Sequence, residues 1–197
     1  MDFTKAQICQ EAKRLFNQKG YRSVSMREIA AKSGVSLGTL TYHFARKQDL
    51  LEAIMDSNIQ TFPDSPPETL KDFHLLLCRL LESIVESPFY FNDPSIYRLI
   101  PAIQNQDYIN VGHLFQLMES SLQTLSDKGL FCPMTPERIH QLAMLLLLSH
   151  TGWTQYNSSR SADSKIPLEE ILHAQWAALF PYLTSKGLEE YKTAVAP

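Results

Sequence analysis

Cysteine is scarce in this 197-residue sequence, and the three that occur, Cys9, Cys78 and Cys132, are odd in number and far apart. No CxxC pair exists, which argues against a disulfide framework or a zinc knuckle and fits a reducing, cytoplasmic setting. The histidines at 74, 113, 140, 150 and 173 form no HxxxH pair and no carboxylate-flanked set with ligand spacing, so no metal site is expected. Long apolar runs are missing too. The longest, LAMLLLL at 142–148, falls far short of the roughly 18 residues that cross a bilayer. The opening MDFTKAQICQEAKRLF lacks the apolar block of a secretory signal, so neither a membrane span nor a leader is expected. No β-alternation persists beyond a few residues, which leaves no sheet to build. Nothing nominates a nucleophile or an acid–base pair, so an enzyme is not expected and no cofactor is implied.

What is present is a foldable and unevenly charged chain. Apolar residues make up 44% and charged residues 20%, enough to bury a core. The net charge of −3 hides a contrast. Residues 1–50 hold nine Lys/Arg against four Asp/Glu (+5), and the rest hold nine against seventeen (−8). A basic head on an acidic body suits a polyanion partner, and equally a solvated positive face.

Nearly every segment has helical periodicity. Ile8, Ala12, Leu15 and Phe16 follow one apolar stripe, with Thr4 and Gln7 at capping-box spacing and Gly20 suited to the turn at the end. Ser25 and Glu28 repeat the capping box for a short second helix stopped by Gly34. Ser36 caps a third helix running to about His43, and a fourth starts near Arg46. FPDSPP at 62–67 is the clearest breaker. Beyond it, helices are expected at about 68–86, 94–104, 108–128, 136–157 and 168–185. Thr135-Pro136 opens one of them, and Gly129 and Gly187 sit where helices should end. The expected fold is all-α with about nine helices. It comprises an N-terminal three-helix helix-turn-helix domain at 1–48 and a helical body at 49–197.

The stretch SGVSLGTLTYHF, 33–44, carries the functional reading. Two short helices around SGV make a helix-turn-helix. At about 100° per residue, Leu40 and Phe44 turn inward to join Val35, Ile29 and Ala30. Gly38, Thr39, Tyr42 and His43 face outward, with Leu37 and Thr41 on the flanks. Such a face is polar and slender enough to enter a major groove, and the starts capped by Ser25 and Ser36 offer N–H groups to an anion. Packing of Tyr42 and His43 against the first helix is the plainer alternative.

With AKRLFNQKGYRSVS before it, MREIAAKSGVSLGTLTYHFARKQDLLEAI resembles the N-terminal domain of the tetracycline-repressor (TetR/AcrR) family of bacterial transcription regulators. The resemblance covers roughly 4–55. It implies a homodimer that binds a palindromic double-stranded operator and is released when a small molecule enters the C-terminal domain. Carried over by position, it implies DNA contacts from Ser25 and Arg27 on the second helix and from the recognition-helix residues Leu37, Gly38, Thr39, Thr41, Tyr42 and His43. Ser36 caps that helix, and Lys47 would lie beside the DNA backbone at the start of the fourth. Thr41 stands where the family usually has tyrosine, which shortens one phosphate contact. Leu37 replaces a residue that is often lysine or proline.

The body is less specific. The resemblance implies that the two long helices at about 136–157 and 168–185 form the dimer bundle, and both carry surplus apolar positions. Phe91, Tyr97, Phe115, Met118, Trp153 and Tyr156 are candidate walls of an effector pocket for a neutral or lipophilic molecule, and equally ordinary core. Two rivals stay open: a regulator of this fold without an effector, and a helical enzyme or lipid carrier whose head is structural. The second leaves the +5 head unexplained.

Overall fold

The computed structural model describes residues 3–59, 62–89, 96 and 109–195. Among them lie nine α-helices, two short 3-10 turns and one isolated antiparallel bridge, Phe131 to Leu183. The expected all-α fold is the one observed. The helix expected over 94–104 falls outside the described residues, apart from Ile96. None of the described helices is long and apolar enough to cross a membrane.

Two compact units divide the chain. The described residues 3–59, 87–89 and 96 form the first, and 62–86 with 109–195 form the second. The first holds α1 (Phe3–Lys19), α2 (Met26–Lys32), α3 (Leu37–His43) and α4 (Lys47–Ile59). The division expected after residue 48 runs through this unit, because Leu50, Leu51 and Ile54 of α4 are buried in the head core. That core also takes Ile8, Ala12, Leu15 and Phe16 from α1 and Ile29, Ala30, Leu40 and Phe44 from the helix-turn-helix. Phe16 anchors it, edge-on to Tyr21 at 5.1 Å and tilted against Phe89 at 5.3 Å.

Local chemistry sets the head's helix ends. Gly20 and Gly34 adopt left-handed φ of 78° and 68°, a conformation open to glycine at little cost. After α2, the Val35 N–H donates to Ala30 O at 3.0 Å and the Gly34 N–H to Ala31 O at 3.4 Å, closing the helix end. One expected cap is corrected. Thr4 lies inside α1, and the Gln7 amide donates to Ser33 O at 3.1 Å, tying α1 to the end of α2.

The second unit is built from α5 (Leu70–Glu86), α6 (Ile109–Asp127), α7 (Pro136–Ser158), α8 (Leu168–Leu179) and α9 (Ser185–Ala194). Thr135 caps α7 by accepting from the Arg138 N–H at 3.3 Å. Phe73, Leu77, Leu122, Phe131, Leu146, Trp176 and Leu179 make the core. The Trp176 indole N–H donates to His74 Nδ1 at 3.0 Å, and its ring lies 4.7 Å from that of Tyr191.

The single helix expected over 168–185 is instead two. Pro181 lacks an N–H and sits in a 3-10 turn, and Leu183 is extended, so the α-helix ends at Leu179. Thr184 then caps α9 by accepting from the Gly187 N–H at 3.0 Å. Gly187 is therefore in a first turn, not at a helix end. A Cβ there would stand 2.0 Å from Leu130 O, so only glycine lets α9 lie on the 129–131 backbone. Glu190 accepts from the Leu70 N–H at 2.7 Å, fastening α9 to the start of α5.

Two polar side chains sit deep in this unit. His150 is 2% and Gln175 1% exposed. His150 Nδ1 lies 2.6 Å from Leu146 O, and Gln175 donates to Ser149 Oγ at 2.8 Å. Burial depresses the His150 pKa to about 4, outweighing the neighbouring carbonyls that favour its charged form.

Two outcomes follow for stability. Gly187→Ala should cost about 1–3 kcal/mol through overpacking. Gly112→Ala, at an exposed helical site with open space around the new methyl, should gain about 0.5–1 kcal/mol. Urea unfolding of both variants checks the opposite signs. The unfolded His150 imidazole takes its proton near 6.5 and the folded one only near 4, so stability falls as pH drops through that interval. Between pH 7 and pH 5 this single group should remove about 2 kcal/mol, a slope that His150→Gln should lack in paired urea titrations.

Candidate nucleic-acid interface

The candidate surface is the outer face of α3, seven residues long. Leu40 is fully buried and Phe44 is 3% exposed, so this short helix is pinned by one side. Its other side is open: Leu37, Gly38, Thr39, Thr41 and Tyr42 are exposed, and Tyr42 is 86% exposed. His43 is half-buried, its ring edge-on to that of Tyr42 at 5.3 Å.

The threonine hydroxyls of α3 are already committed locally. Ser36 Oγ accepts from the Thr39 N–H at 2.9 Å and lies 2.9 Å from Thr39 Oγ1. Thr41 Oγ1 donates back to Leu37 O at 3.0 Å and to Gly38 O at 3.1 Å. These bonds hold Thr39 and Thr41 in fixed rotamers, so their positions are set before any ligand arrives. Ser25 caps α2 by accepting from the Glu28 N–H at 3.2 Å, and Arg27, two residues on in the same first turn, is exposed. The Glu28 carboxylate bonds Lys19 at 2.5 Å, which holds its pKa below the usual range.

Lys47 departs from expectation. Its ammonium points into the head, donating to Tyr21 O and Val24 O, each at 2.8 Å, and approaching Arg22 O at 3.5 Å. It also lies 4.3 Å from the Tyr21 ring centre, and desolvation lowers its pKa. The exposed cation at the start of α4 is Arg46, paired with Asp49 at 2.8 Å, with 69% of its side chain open. Arg46 is not among the expected contacts, and its only signal in the sequence is its place beside Lys47 in FARKQD.

The candidate pocket residues go to separate neighbours. Phe91 and Tyr97 lie outside the described residues. Met118 is core, and Phe115 meets His140 at 5.0 Å. The Trp153 N–H donates to Ile166 O at 2.9 Å, where the Asn157 amide also donates. Tyr156 is 42% exposed beneath Arg160 at 4.2 Å. Among the described residues, no three His, Cys, Asp or Glu side chains group to hold a metal ion. Cys9, Cys78 and Cys132 are free thiols.

An exposed slender helix face beside capped helix starts defines a helix-turn-helix head, and comparison with known proteins agrees. Residues 8–54 match the family described as bacterial regulatory proteins, tetR family. Over that head the chain is similar to the TetR/AcrR regulators. It is 37% identical over 93 residues to the HTH-type transcriptional regulator AcrR of Shigella flexneri, covering 42% of each chain. The matched stretch spans 28–42% of the length of AcrR and similar curated relatives.

The fold extends further than the sequence likeness. A TetR-family transcriptional regulator from Marinobacter aquaeolei VT8 superposes with a TM-score of 0.81 at 20% identity, covering 98% of this chain and 97% of that one. AibR, in complex with isovaleryl coenzyme A and operator DNA, superposes at 0.67 and 20% identity, covering 91% and 100%.

Gly38 gives the surface a direct test. A Cβ there would meet only Ser36 Oγ, at an ordinary 3.6 Å, so the fold itself does not require glycine. Gly38→Ala should stabilise the head by about 0.5–1 kcal/mol yet weaken DNA binding if a groove closes on this point. Paired thermal melts and DNA titrations check both signs.

Proposed function

We propose that the chain is a DNA-binding transcription regulator, a repressor that holds a palindromic operator as a homodimer. The observation that carries this reading is the α3 face: exposed, slender at its start, with rotamers fixed by internal bonds and an apolar back sealed in the head core. Leu37, Gly38, Thr39, Thr41 and Tyr42 would meet base edges and sugar–phosphate, with His43, Ser25, Ser36 and Arg27 at the margins. One seven-residue helix reads too few base pairs alone, so two copies in fixed register are needed.

The second copy would pack on α7 and α8. Met144, Leu145, Leu148 and Tyr156 recur along one exposed side of α7, and Leu148 is 60% open. Phe180, just after α8, is 40% open. An apolar stripe of this kind is costly in water and fits an isologous interface.

A small effector in the body would shift the balance between DNA-binding and released states, since a ligand acts only through its different affinity for the two. AibR's complex with isovaleryl coenzyme A and operator DNA supports this mode. The body's apolar and aromatic composition favours a neutral or lipophilic molecule. Regulation without an effector is the alternative, and it predicts operator affinity indifferent to every small molecule screened.

Selection from a random DNA pool at near-physiological salt tests the whole reading. The wild-type chain should enrich a palindrome. Leu148→Glu should remain folded, run as a monomer in sedimentation and lose that enrichment. Absence of any enriched sequence with the wild-type chain would overturn the proposal.

A further inference from the structure

We infer that Lys47 is a positioning residue for DNA recognition, clamping the turn that places α2, rather than a contact to the DNA backbone. The inference rests on the DNA-binding reading above. Residues 21–24 run between the end of α1 and Ser25, the cap of α2. Tyr21 and Val24 are buried, at 6% and 1% exposure, and their side chains fasten the turn to the core. The carbonyls of Tyr21, Val24 and, more distantly, Arg22 converge on one point, and the Lys47 ammonium occupies it.

Three properties suit lysine to that point. A compact ammonium has three donors and can serve converging acceptors that a planar guanidinium cannot. The face of the Tyr21 ring adds a second attraction for the cation. Lys47 is also the first residue of α4, so the clamp joins the start of α4 to the start of α2 through one side chain. Ser25 and Arg27 follow the clamped turn directly, and their placement on the candidate surface depends on it. Two of the three ammonium donors are held by carbonyls at 2.8 Å, and Arg22 O at 3.5 Å stands nearest the third.

The test uses the palindrome selected by the wild-type chain, so loss of the DNA-binding reading would be seen first and separately, as no selected site. Affinities of wild type, Lys47→Met and Lys47→Arg are measured against salt concentration, well below each variant's melting temperature. Methionine keeps the apolar stem and removes the charge; arginine keeps the charge and changes its shape. A positioning role predicts that both variants lose about tenfold or more in affinity while the slope of log K against log salt stays at the wild-type value.

A phosphate contact predicts the opposite. The slope would fall by about 0.9 in Lys47→Met and return with Lys47→Arg, and that would overturn the inference. Unchanged affinity in both folded variants would overturn it too, leaving the lysine a role in stability alone. Should Lys47→Met not fold, Lys47→Arg decides by itself: retained affinity refutes the clamp, and lost affinity at an unchanged slope supports it.

Discussion

A seven-residue helix cannot hold itself together in water, and the head depends on how α3 evades that limit. Nucleating a helical turn is unfavourable, and isolated helices below about 12–15 residues are marginal. Here the deficit is met from one side, where Leu40 and Phe44 enter the core, and from one end, where Ser36 receives the Thr39 N–H. Every remaining position is then released from structural duty. That is why the outer face can be slender and polar, and why so exposed a tyrosine as Tyr42 persists there.

The same economy explains the turn and cap chemistry around it. Gly34 reverses the chain after α2, and the Gln7 amide reaches across from α1 to hold the carbonyl of Ser33 just before it. The two short helices are thus braced from a long one. In the body the corresponding brace is α9, a short helix that fastens itself to the 129–131 turn and to the start of α5. Both units use a short polar-capped helix whose position is dictated by backbone contacts made elsewhere in the chain.

Much of this could be read from spacing alone, because its causes are local. Ser25, Ser36 and Thr135 are caps by virtue of residues two or three places away, and the inward turn of Leu40 and Phe44 follows from helical angle. The misreadings concern causes that are distant in sequence. Gly187 suggests a helix end until Leu130 O is found against its Cα. Gln7 has capping-box spacing, but its partner is 26 residues away. The place of the Lys47 ammonium also has a distant cause, since nothing nearby in sequence predicts that the carbonyls of Tyr21, Arg22 and Val24 converge on it. The body's candidate pocket rests on residue type, and type does not distinguish a wall from a strut: the Trp153 indole spends its N–H on Ile166 O.

The placement of the tryptophans has a spectroscopic consequence. The chain has two, Trp153 and Trp176, and both belong to the second unit. Trp176 is 1% exposed among aromatic neighbours, an environment that gives blue-shifted emission, whereas Trp153 is half-buried. Indole fluorescence is therefore a channel for one unit only. Melting of the head would leave the indoles where they are, while loosening of the body would redden their emission. Tyrosine signals come from both units, from Tyr21 and Tyr42 in the head and from Tyr156, Tyr182 and Tyr191 in the body, so the indoles alone isolate the second unit.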